Sequence, residues 1–392
     1  MSGAAVPVES KNKLLTPFNV IGGLFVIVAF GIAVVRFTKG LGAVTNLNDE
    51  FPWGLWIGFD VLCGVALAAG GYTIAAAVHI FRLKQYRPIL RPAILTGFLG
   101  YFFVVIALLV DLGRPWRIVY PVFYTYGVAS VMFLVAWHVF LYLTCQFIEF
   151  APAIAEWRGW DVARRWLLRL EIGACIAGVI LSTLHQSALG ALFLLAPTKL
   201  HPLWYSPLLP MFFFLSSIIA GLSMVILEST LSHRYFKEQT DPRHAKGLGR
   251  LQLGLAEAAS LALLSYFFLK WIGVAHGLHW NLLGTSMGVW FLLEVFGFIL
   301  LPCLLYAKAV REKNVRLVQF TSVLTVAGII LNRLNVSIIG FRWDSVAHYV
   351  PRWSEFVITI AIVMFAIFTF RWIVTRMPVL SEHPDYKLTD VS

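Results

Sequence analysis

The sequence predicts an all-α protein that crosses a membrane many times, and three observations carry this prediction. Of the 392 residues, 59% are hydrophobic and only 13% are charged, and the mean hydropathy is +0.79. The apolar residues are gathered into runs of about 20 residues or more, the length that an α-helix needs to cross a bilayer. Soluble domains of this length do not combine these features, so a soluble globular fold is excluded.

We predict ten transmembrane helices from these runs. They lie at about residues 18–37, 53–82, 90–111, 125–149, 167–196, 205–232, 250–274, 285–307, 317–340 and 354–375. The first helix follows Lys11 and Lys13 as a full-length apolar span, unlike the short apolar core of a cleaved secretory signal. An even number of spans places both chain ends on one side of the membrane.

The positive charges predict which side this is. Most of the 31 lysine and arginine residues lie in the tails and in the loops on the side of the termini, as in RLKQYRPILR, RHAKGLGR and AKAVREKNVR. Loops rich in Lys and Arg stay in the cytoplasm, so both termini are predicted to be cytoplasmic. The net charge of +11 follows from this topology, and no nucleic-acid partner is expected.

An internal repeat divides the chain. The stretch ILSTLHQSALG from Ile180 matches ILNRLNVSIIG from Ile330 at five positions, and the same offset lays Gly71 over Gly221. Four spans per unit predict two repeated four-helix bundles plus two flanking helices. The predicted divisions are 1–50 (cytoplasmic tail and first helix), 51–200 (first repeat), 201–340 (second repeat) and 341–392 (last helix and cytoplasmic tail).

No metal site and no haem are expected. The four cysteines are scattered singly, without the spacing of a zinc or iron–sulfur site: Cys63, Cys145, Cys175 and Cys303. A bis-histidine haem needs two histidines at one depth on facing helices, and only His138 with His185 comes near that arrangement.

Polar side chains inside the spans predict a quinone-binding pocket near the periplasmic face. Such residues are rare in lipid and usually face protein, water or a ligand. A quinone headgroup needs hydrogen-bond donors for its carbonyls, and its reduction takes up two electrons and two protons. The predicted pocket residues are Asp60, Asp111, Arg114, His185, Gln186, Trp204, Arg333 and Asn335. His185 and Asp60 are the predicted catalytic residues, because both can carry a proton.

Structural roles remain open for several of these residues. Asp111 and Arg114 are spaced i, i+3 and could form a local ion pair at a helix end. His185 has Ser182 and Ser187 nearby and could be a hydrogen-bonded histidine of the bundle. An aromatic belt at the interface would explain most tryptophans at these span ends without a ligand.

A second polar set lies deeper in the membrane or towards the cytoplasm. Its members are His138, Glu228, Glu257 and Glu294. Chains of Glu and His are typical of proton paths, so these residues are predicted to link the cytoplasm to the pocket. Glu257 lies near a helix start, where a favourable interaction with the helix dipole is the structural alternative.

The ordered motifs PWGLWIGFD, DLGRPW, LHQSALG and HPLW resemble those of the NrfD or polysulfide-reductase membrane-subunit superfamily over essentially the whole chain. The ten-helix branch of the hydrogenase-2 membrane subunit (HybB-like) is most similar. Within this branch, the chain resembles the membrane C subunit of the high-molecular-weight cytochrome c (Hmc) complex of sulfate-reducing bacteria. The resemblance implies an inner-membrane subunit without a redox cofactor of its own, which binds menaquinone or ubiquinone near the periplasmic face.

The resemblance also implies partners and site residues. The implied partners are a periplasmic-side iron–sulfur subunit and multihaem cytochrome c, other membrane subunits including a haem b protein, and a cytoplasmic iron–sulfur protein. Asp60, Asp111, His185 and Gln186 fall on motif positions of the family. One departure is Leu134, where hydrogenase-branch members have a glutamate on the fourth span, and Glu294 stands at the repeat-related position.

Three functions remain open. The first is a quinone-reactive, proton-linked subunit of an anaerobic respiratory complex that joins periplasmic electron carriers to the menaquinone pool. The second is a non-catalytic membrane anchor for redox partners. The third is a secondary transporter, which interrupted helices would favour, whereas the sequence predicts no Gly or Pro break at mid-span. Because Asn335, the repeat partner of His185, cannot titrate, chemistry is expected in the first repeat only, and Asn335→Asp is predicted to be mild.

Overall fold

The structure is a computed structural model that describes residues 16–381, apart from the side chains of residues 242–246. In this part of the chain ten helices are long and apolar enough to cross a membrane, which confirms the predicted all-α membrane fold. The spans are Pro17–Lys39, Trp56–Ile80, Lys84–Asp111, Val131–Arg158, Asp161–Leu195, Leu209–Tyr235, Gly247–His276, Ser286–Arg311, Val315–Ile339 and Trp353–Arg376. The division into two bundles stays a prediction.

The two faces of the membrane region can be named from the chain itself. The first span begins and the tenth span ends at one face, which we call the terminal face. The spans alternate in direction, so the second, fourth, sixth, eighth and tenth begin at the other face, which we call the opposite face.

The boundaries of the fourth span differ most from the prediction. The helix begins at Val131 rather than near residue 125, because the preceding segment forms two short helices, Pro115–Val119 and Tyr120–Phe123. Ser130 caps the new start by accepting a hydrogen bond from the Phe133 N–H at 3.5 Å. The helix continues to Arg158, where Gly159 adopts a left-handed conformation with φ of 70° and ends it.

The second and sixth spans form the buried centre of the fold and cross closely at glycines. A Cβ atom on Gly221 would lie 2.7 Å from the backbone nitrogen of Gly70, so neither position has room for a larger residue. Small residues allow such close helix approach inside a membrane. The first and tenth spans pack against each other at the periphery, where the Phe18 and Phe368 rings meet edge to face.

The second span is not a regular helix, although the sequence predicts no Gly or Pro break at mid-span. A turn at Ala68 and Ala69 separates two helical segments just before Gly70 and Gly71. The backbone stays right-handed, and the Ala69 N–H donates to the Ala66 carbonyl at 3.2 Å. The turn is therefore a local tightening, unlike the unwound half-helices that form ion sites in transporters.

Candidate functional site

Polar side chains of the third and fifth spans meet in a fully buried group that we call the first cluster, made of Tyr101, His185 and Gln186. His185 Nδ1 lies 3.0 Å from the Leu181 carbonyl oxygen, which can only accept a hydrogen bond. Nδ1 therefore carries the proton of the neutral imidazole. The other ring nitrogen, Nε2, accepts a hydrogen bond from the Tyr101 hydroxyl at 2.5 Å.

Gln186 holds Tyr101 in place. Its amide nitrogen donates to the Val65 carbonyl at 2.9 Å and to the Tyr101 hydroxyl oxygen at 3.2 Å. The Tyr142 ring packs edge to face on Tyr101, with ring centroids 4.6 Å apart. The amide oxygen of Gln186 is buried and has no hydrogen-bond partner among the described residues. The first cluster is therefore neutral, and one of its hydrogen-bond acceptors has no partner among the described residues.

A second cluster surrounds the carboxylate of Glu294. Oε1 accepts hydrogen bonds from Lys270 at 3.1 Å and from Asn332 at 2.6 Å. Oε2 accepts from the Trp204 indole at 2.7 Å and from Asn335 at 2.5 Å. Glu294 is 1% exposed and Lys270 is 4% exposed, so this is a buried ion pair with additional donors.

The sequence motif HPLW positions Trp204 for this contact. The His201 N–H donates to the Gly340 carbonyl at 2.8 Å, and Leu200 forms an isolated β-bridge with Phe341. These contacts tie the segment before the sixth span to the end of the ninth. The Trp204 side chain is consequently buried, and its indole N–H reaches Glu294.

Arg333 lies fully buried in the same region. Its guanidinium stacks on the Phe213 ring, 3.7 Å from the centroid, and donates to the Phe213 carbonyl at 3.0 Å. Its Nε and its remaining terminal nitrogen have no hydrogen-bond partner among the described residues. The stacked ring offsets part of the cost of burying this charge.

A third cluster joins the opposite-face ends of the first, second, third and tenth spans. Asp60 Oδ2 accepts a hydrogen bond from Thr359 at 2.9 Å. Arg36, 3% exposed, donates to the Val110 carbonyl at 2.5 Å and attracts Asp111 electrostatically. Arg114 is exposed. The cation beside Asp111 is thus Arg36, which the sequence analysis missed because it lies near a span end, where basic residues are common.

The predicted pocket residues therefore fall into separate groups. His185 and Gln186 lie in the first cluster, and Trp204 and Asn335 lie in the second with Arg333 nearby. The described contacts do not join Asp60 to His185, because the partners of His185 are Tyr101 and Leu181. Sequence reasoning also missed Tyr101 and Lys270. A tyrosine in an apolar run and a lysine near a span end carry no local signal of such contacts.

The π-helical segments of the described chain coincide with polar residues of interest. A π-helix adds a residue to the turn and re-aims side chains, and it is frequent at functional sites. The segments and the polar residues that they carry are Trp56–Val61 with Asp60, Ala76–Ile80 with His79, Leu293–Leu300 with Glu294, and Asn335–Ile339 with Asn335. The irregular backbone thus lies where polar groups must be placed inside the bilayer.

The profile of the family described as "Polysulphide reductase, NrfD" matches residues 43–342. The matched region contains all three clusters except for Arg36 and Thr359. The chain belongs to the NrfD family.

Three relatives show how far this similarity extends. A protein of Nitratidesulfovibrio vulgaris is 50% identical over 97% of this chain and 98% of its own length. The probable Ni/Fe-hydrogenase 2 b-type cytochrome subunit of Escherichia coli is 31% identical over 95% of each chain. The integral membrane subunit of menaquinone reductase from Nitratidesulfovibrio vulgaris is 28% identical over 87% of each chain.

The name of the Escherichia coli relative includes a b-type cytochrome, which raises the question of a haem in this NrfD-family chain. A bis-histidine haem needs a free ring nitrogen on each of two facing histidines. Both ring nitrogens of His185, Nδ1 and Nε2, are hydrogen-bonded within the chain. The pair of His138 and His185 therefore does not fit haem ligation.

The residues of the predicted proton path have different surroundings in this NrfD-family fold. Glu228 is buried, accepts a hydrogen bond from Ser232 at 2.9 Å and lines a cavity of about 40 Å³ near the terminal face. Glu257 is exposed on the seventh span, and Glu294 is held by four donors. A second terminal-face cavity, of about 50 Å³, is lined by Glu149, which the sequence analysis did not single out.

Two groups in the opposite-face loops have displaced pKa values. Burial, together with nearby His279, lowers the pKa of His201 to about 4. His201 is therefore neutral at pH 7, and its Nδ1 accepts a hydrogen bond from the Leu203 N–H at 3.2 Å. Hydrogen bonds from Ser345 and Arg342 lower the pKa of Glu50. Both groups tie loops together at this face.

Proposed function

We propose that this protein is the quinone-interacting membrane subunit of a multisubunit respiratory oxidoreductase, with menaquinone as its exchangeable substrate. The observation that carries the proposal is the first cluster, in which a titratable imidazole and a phenol are hydrogen-bonded inside apolar spans. Interconversion of quinone and quinol moves two protons, so it requires a group of this kind within reach. No redox cofactor of its own is needed for this role.

The relatives support the substrate class. One relative of similar length is the integral membrane subunit of a menaquinone reductase. In our proposal His185 and Gln186 act at the substrate, and Asp60 and Asp111 lie at the same face for proton transfer or binding. Trp204, Arg333 and Asn335 shape the neighbouring second-cluster region, and Arg114 lies at the exposed surface. The path residues His138, Glu228, Glu257 and Glu294 stay a hypothesis.

We further propose a bacterial inner membrane location with both termini in the cytoplasm. The distribution of Lys and Arg supports this orientation and makes the opposite face periplasmic. Large aromatic side chains are exposed between the third and fourth spans, among them Trp116 at 68% and Tyr124 at 71%. Such a surface suits docking of the proposed iron–sulfur and multihaem cytochrome c partners. A haem b membrane subunit and a cytoplasmic iron–sulfur protein complete the proposed assembly.

The test is His185→Asn in the assembled complex. Asparagine can still donate to the Leu181 carbonyl but cannot exchange a proton near neutral pH. Turnover with a menaquinone analogue should fall by about 10²-fold or more, the usual effect of losing general acid–base catalysis. The control is His276→Asn, an exposed histidine at the end of the seventh span, which should leave turnover unchanged. Complex assembly is measured separately by size-exclusion chromatography.

The second candidate function is a non-catalytic anchor that fixes redox partners in the membrane. One observation favours it, because both ring nitrogens of His185 already have partners within the chain. The same experiment separates the two functions. Unchanged turnover in an assembled His185→Asn complex would contradict the quinone site and favour the anchor.

A further inference from the structure

Two arginine–tryptophan pairs lie at the terminal face, one at the end of the fourth span and one at the end of the tenth. The guanidinium of Arg158 lies over the Trp157 ring, 4.4 Å from its centroid, and that of Arg376 lies over the Trp372 ring at 4.9 Å. The two tryptophan rings meet edge to face, with centroids 6.4 Å apart. Two cations from different spans therefore lie on one pair of touching rings.

Both cations keep their capacity to bind an anion. The two arginines are exposed, and no carboxylate of the described residues forms an ion pair with either. The carboxylate of Glu156, two residues before Arg158, is held instead by Arg91 at 2.8 Å and by Arg164 at 2.9 Å. A guanidinium stacked on a ring uses its face, so the N–H groups at its edge stay available for a phosphate.

An apolar groove leads away from these pairs between the fourth and tenth spans, with the third span as its floor. The ring of Phe98 on the third span meets that of Phe147 on the fourth, with centroids 5.9 Å apart. The ring of Phe103 on the third span meets that of Phe365 on the tenth at 5.3 Å. Phe102 is exposed on the floor between them. The walls and the floor are thus formed by aromatic side chains.

The groove has the depth of a lipid acyl chain. Phe147 and Phe365 are each about half exposed, and each lies 11 residues, about 16 Å along the helix, from the arginine at the end of its span. This length is about half of a hydrocarbon core of ~30 Å, which is one leaflet. The fourth span is also the least buried of the ten described spans, so a lipid here adds contacts where the protein supplies few.

We propose that this groove binds one anionic phospholipid, with its phosphate on Arg158 and Arg376 and its acyl chains along Phe147, Phe102 and Phe365. Tryptophan and arginine are suited to the headgroup layer, and guanidinium groups bind phosphate through charge-assisted hydrogen bonds. Basic pockets between spans at a cytoplasmic face bind anionic headgroups. The site is separate from the three clusters and does not depend on the proposed function.

Lipid binding is measured by native mass spectrometry of the full-length protein, titrated with cardiolipin, phosphatidylglycerol or phosphatidylcholine. The two anionic lipids should bind about tenfold or more tightly than zwitterionic phosphatidylcholine. Tighter binding of cardiolipin would assign one phosphate to each arginine, and equal binding of the two anionic lipids would assign one phosphate to both; either result supports the site. Equal binding of phosphatidylcholine would overturn it, because the arginines would then contribute nothing.

The decisive variant is Arg158→Gln with Arg376→Gln. Its affinity for the anionic lipids should fall by about 25-fold, since each arginine near the membrane surface contributes about fivefold. The matched control is Arg311→Gln with Arg316→Gln, which removes two exposed arginines from the same face at the ends of the eighth and ninth spans. Equal losses in the two double variants would overturn the site, because charge anywhere on this face would then serve.

A conservative variant separates charge from packing. Arg158→Lys with Arg376→Lys keeps both charges and should retain most of the affinity that the glutamine pair loses. A loss as large as that of the glutamine pair would show that the arginines act by packing on the tryptophans, and it would overturn the site. Size-exclusion chromatography confirms that each variant is folded and monodisperse before it is titrated.

The acyl-chain half of the site is tested with a cardiolipin that carries a photoactivatable diazirine in one chain. Crosslinks should concentrate in residues 98–102, 140–151 and 361–372, which contain the exposed phenylalanines of the groove. They should decrease in the glutamine pair in proportion to its loss of affinity. Crosslinks spread evenly over the outer surfaces of all spans would indicate lipid that surrounds the protein without a specific site, and would overturn the proposal.

Discussion

His185 of the first cluster and Asn335 of the second are predicted repeat partners, but the two clusters have opposite chemistry. His185 in the first cluster is neutral and hydrogen-bonded to a phenol, and Gln186 keeps a free acceptor. Asn335, the predicted repeat partner of His185, donates to the charged carboxylate of Glu294. Each of the two oxygens of that carboxylate accepts hydrogen bonds from two donors.

The first cluster is thus a neutral hydrogen-bonded group, whereas the second cluster holds a buried ion pair. A carboxylate with a lysine and three neutral donors is strongly stabilised in its ionised form and is a poor proton carrier. The imidazole of His185 and the phenol of Tyr101 carry no fixed charge, and a single hydrogen bond joins them. The second cluster is consequently better suited to orient Trp204 and the surrounding spans than to conduct protons, and the hypothesis that Glu294 lies on a proton path is weakened.

The largest expected effect is in the second cluster. Lys270→Met removes the cation beside Glu294 and leaves a buried carboxylate without its countercharge. The free energy of unfolding should fall by about 3–5 kcal/mol, the usual cost of breaking a buried ion pair. Denaturant unfolding of the detergent-solubilised protein measures this change.

Two controls sharpen this prediction. Adding Glu294→Gln to Lys270→Met removes the orphaned charge and should restore most of the lost stability. Tyr101→Phe in the first cluster should cost less, about 1–2 kcal/mol, since the groups that lose their hydrogen bond are neutral. Equal losses for Lys270→Met and Tyr101→Phe would show that the two clusters do not differ in the way described.

Asn335→Asp should have the next largest effect on stability, whereas the mild outcome predicted from the sequence concerns quinone-linked turnover. The new carboxylate would lie beside Glu294 Oε2, where Asn335 now donates at 2.5 Å. Losing a donor to a buried charge should cost about 3 kcal/mol, and the like charge adds to this cost. The same unfolding measurement, repeated with Glu294→Gln added, should recover stability. A stable Asn335→Asp protein would contradict the assigned contact.

The smallest expected effect is a pH dependence at the opposite-face loop that carries Trp204. The pKa of His201 is about 4 in the folded chain and 6.5 for the ordinary residue. Below pH 6.5 the unfolded chain therefore binds a proton that the folded chain does not, so stability falls as the pH is lowered from 6.5 to 4. His201→Gln should flatten this fall in thermal unfolding, whereas His276→Gln should not. An unchanged slope in His201→Gln would contradict the assignment.

The sequence was sufficient for the number and order of the spans. Within lipid every backbone group must be bonded inside its own helix, so each crossing requires a long apolar run that can be read directly. The ends of the spans were less well predicted. The fourth span is capped by Ser130 before its first residue and by Gly159 after its last. Such caps depend on local backbone geometry rather than on hydrophobicity.

The sequence also marked His185, Asp60, Asn335 and Glu294, because polar groups in apolar runs are conspicuous. Their partners were decided only by the tertiary structure. Tyr101, Lys270 and Arg36 resemble ordinary residues of an apolar span or of a span end, and nothing local indicates which neighbour they meet. Which polar groups meet depends on how each helix is rotated about its axis. That rotation is set by packing between spans, as at Gly70 and Gly221, and packing is a property of the assembled fold.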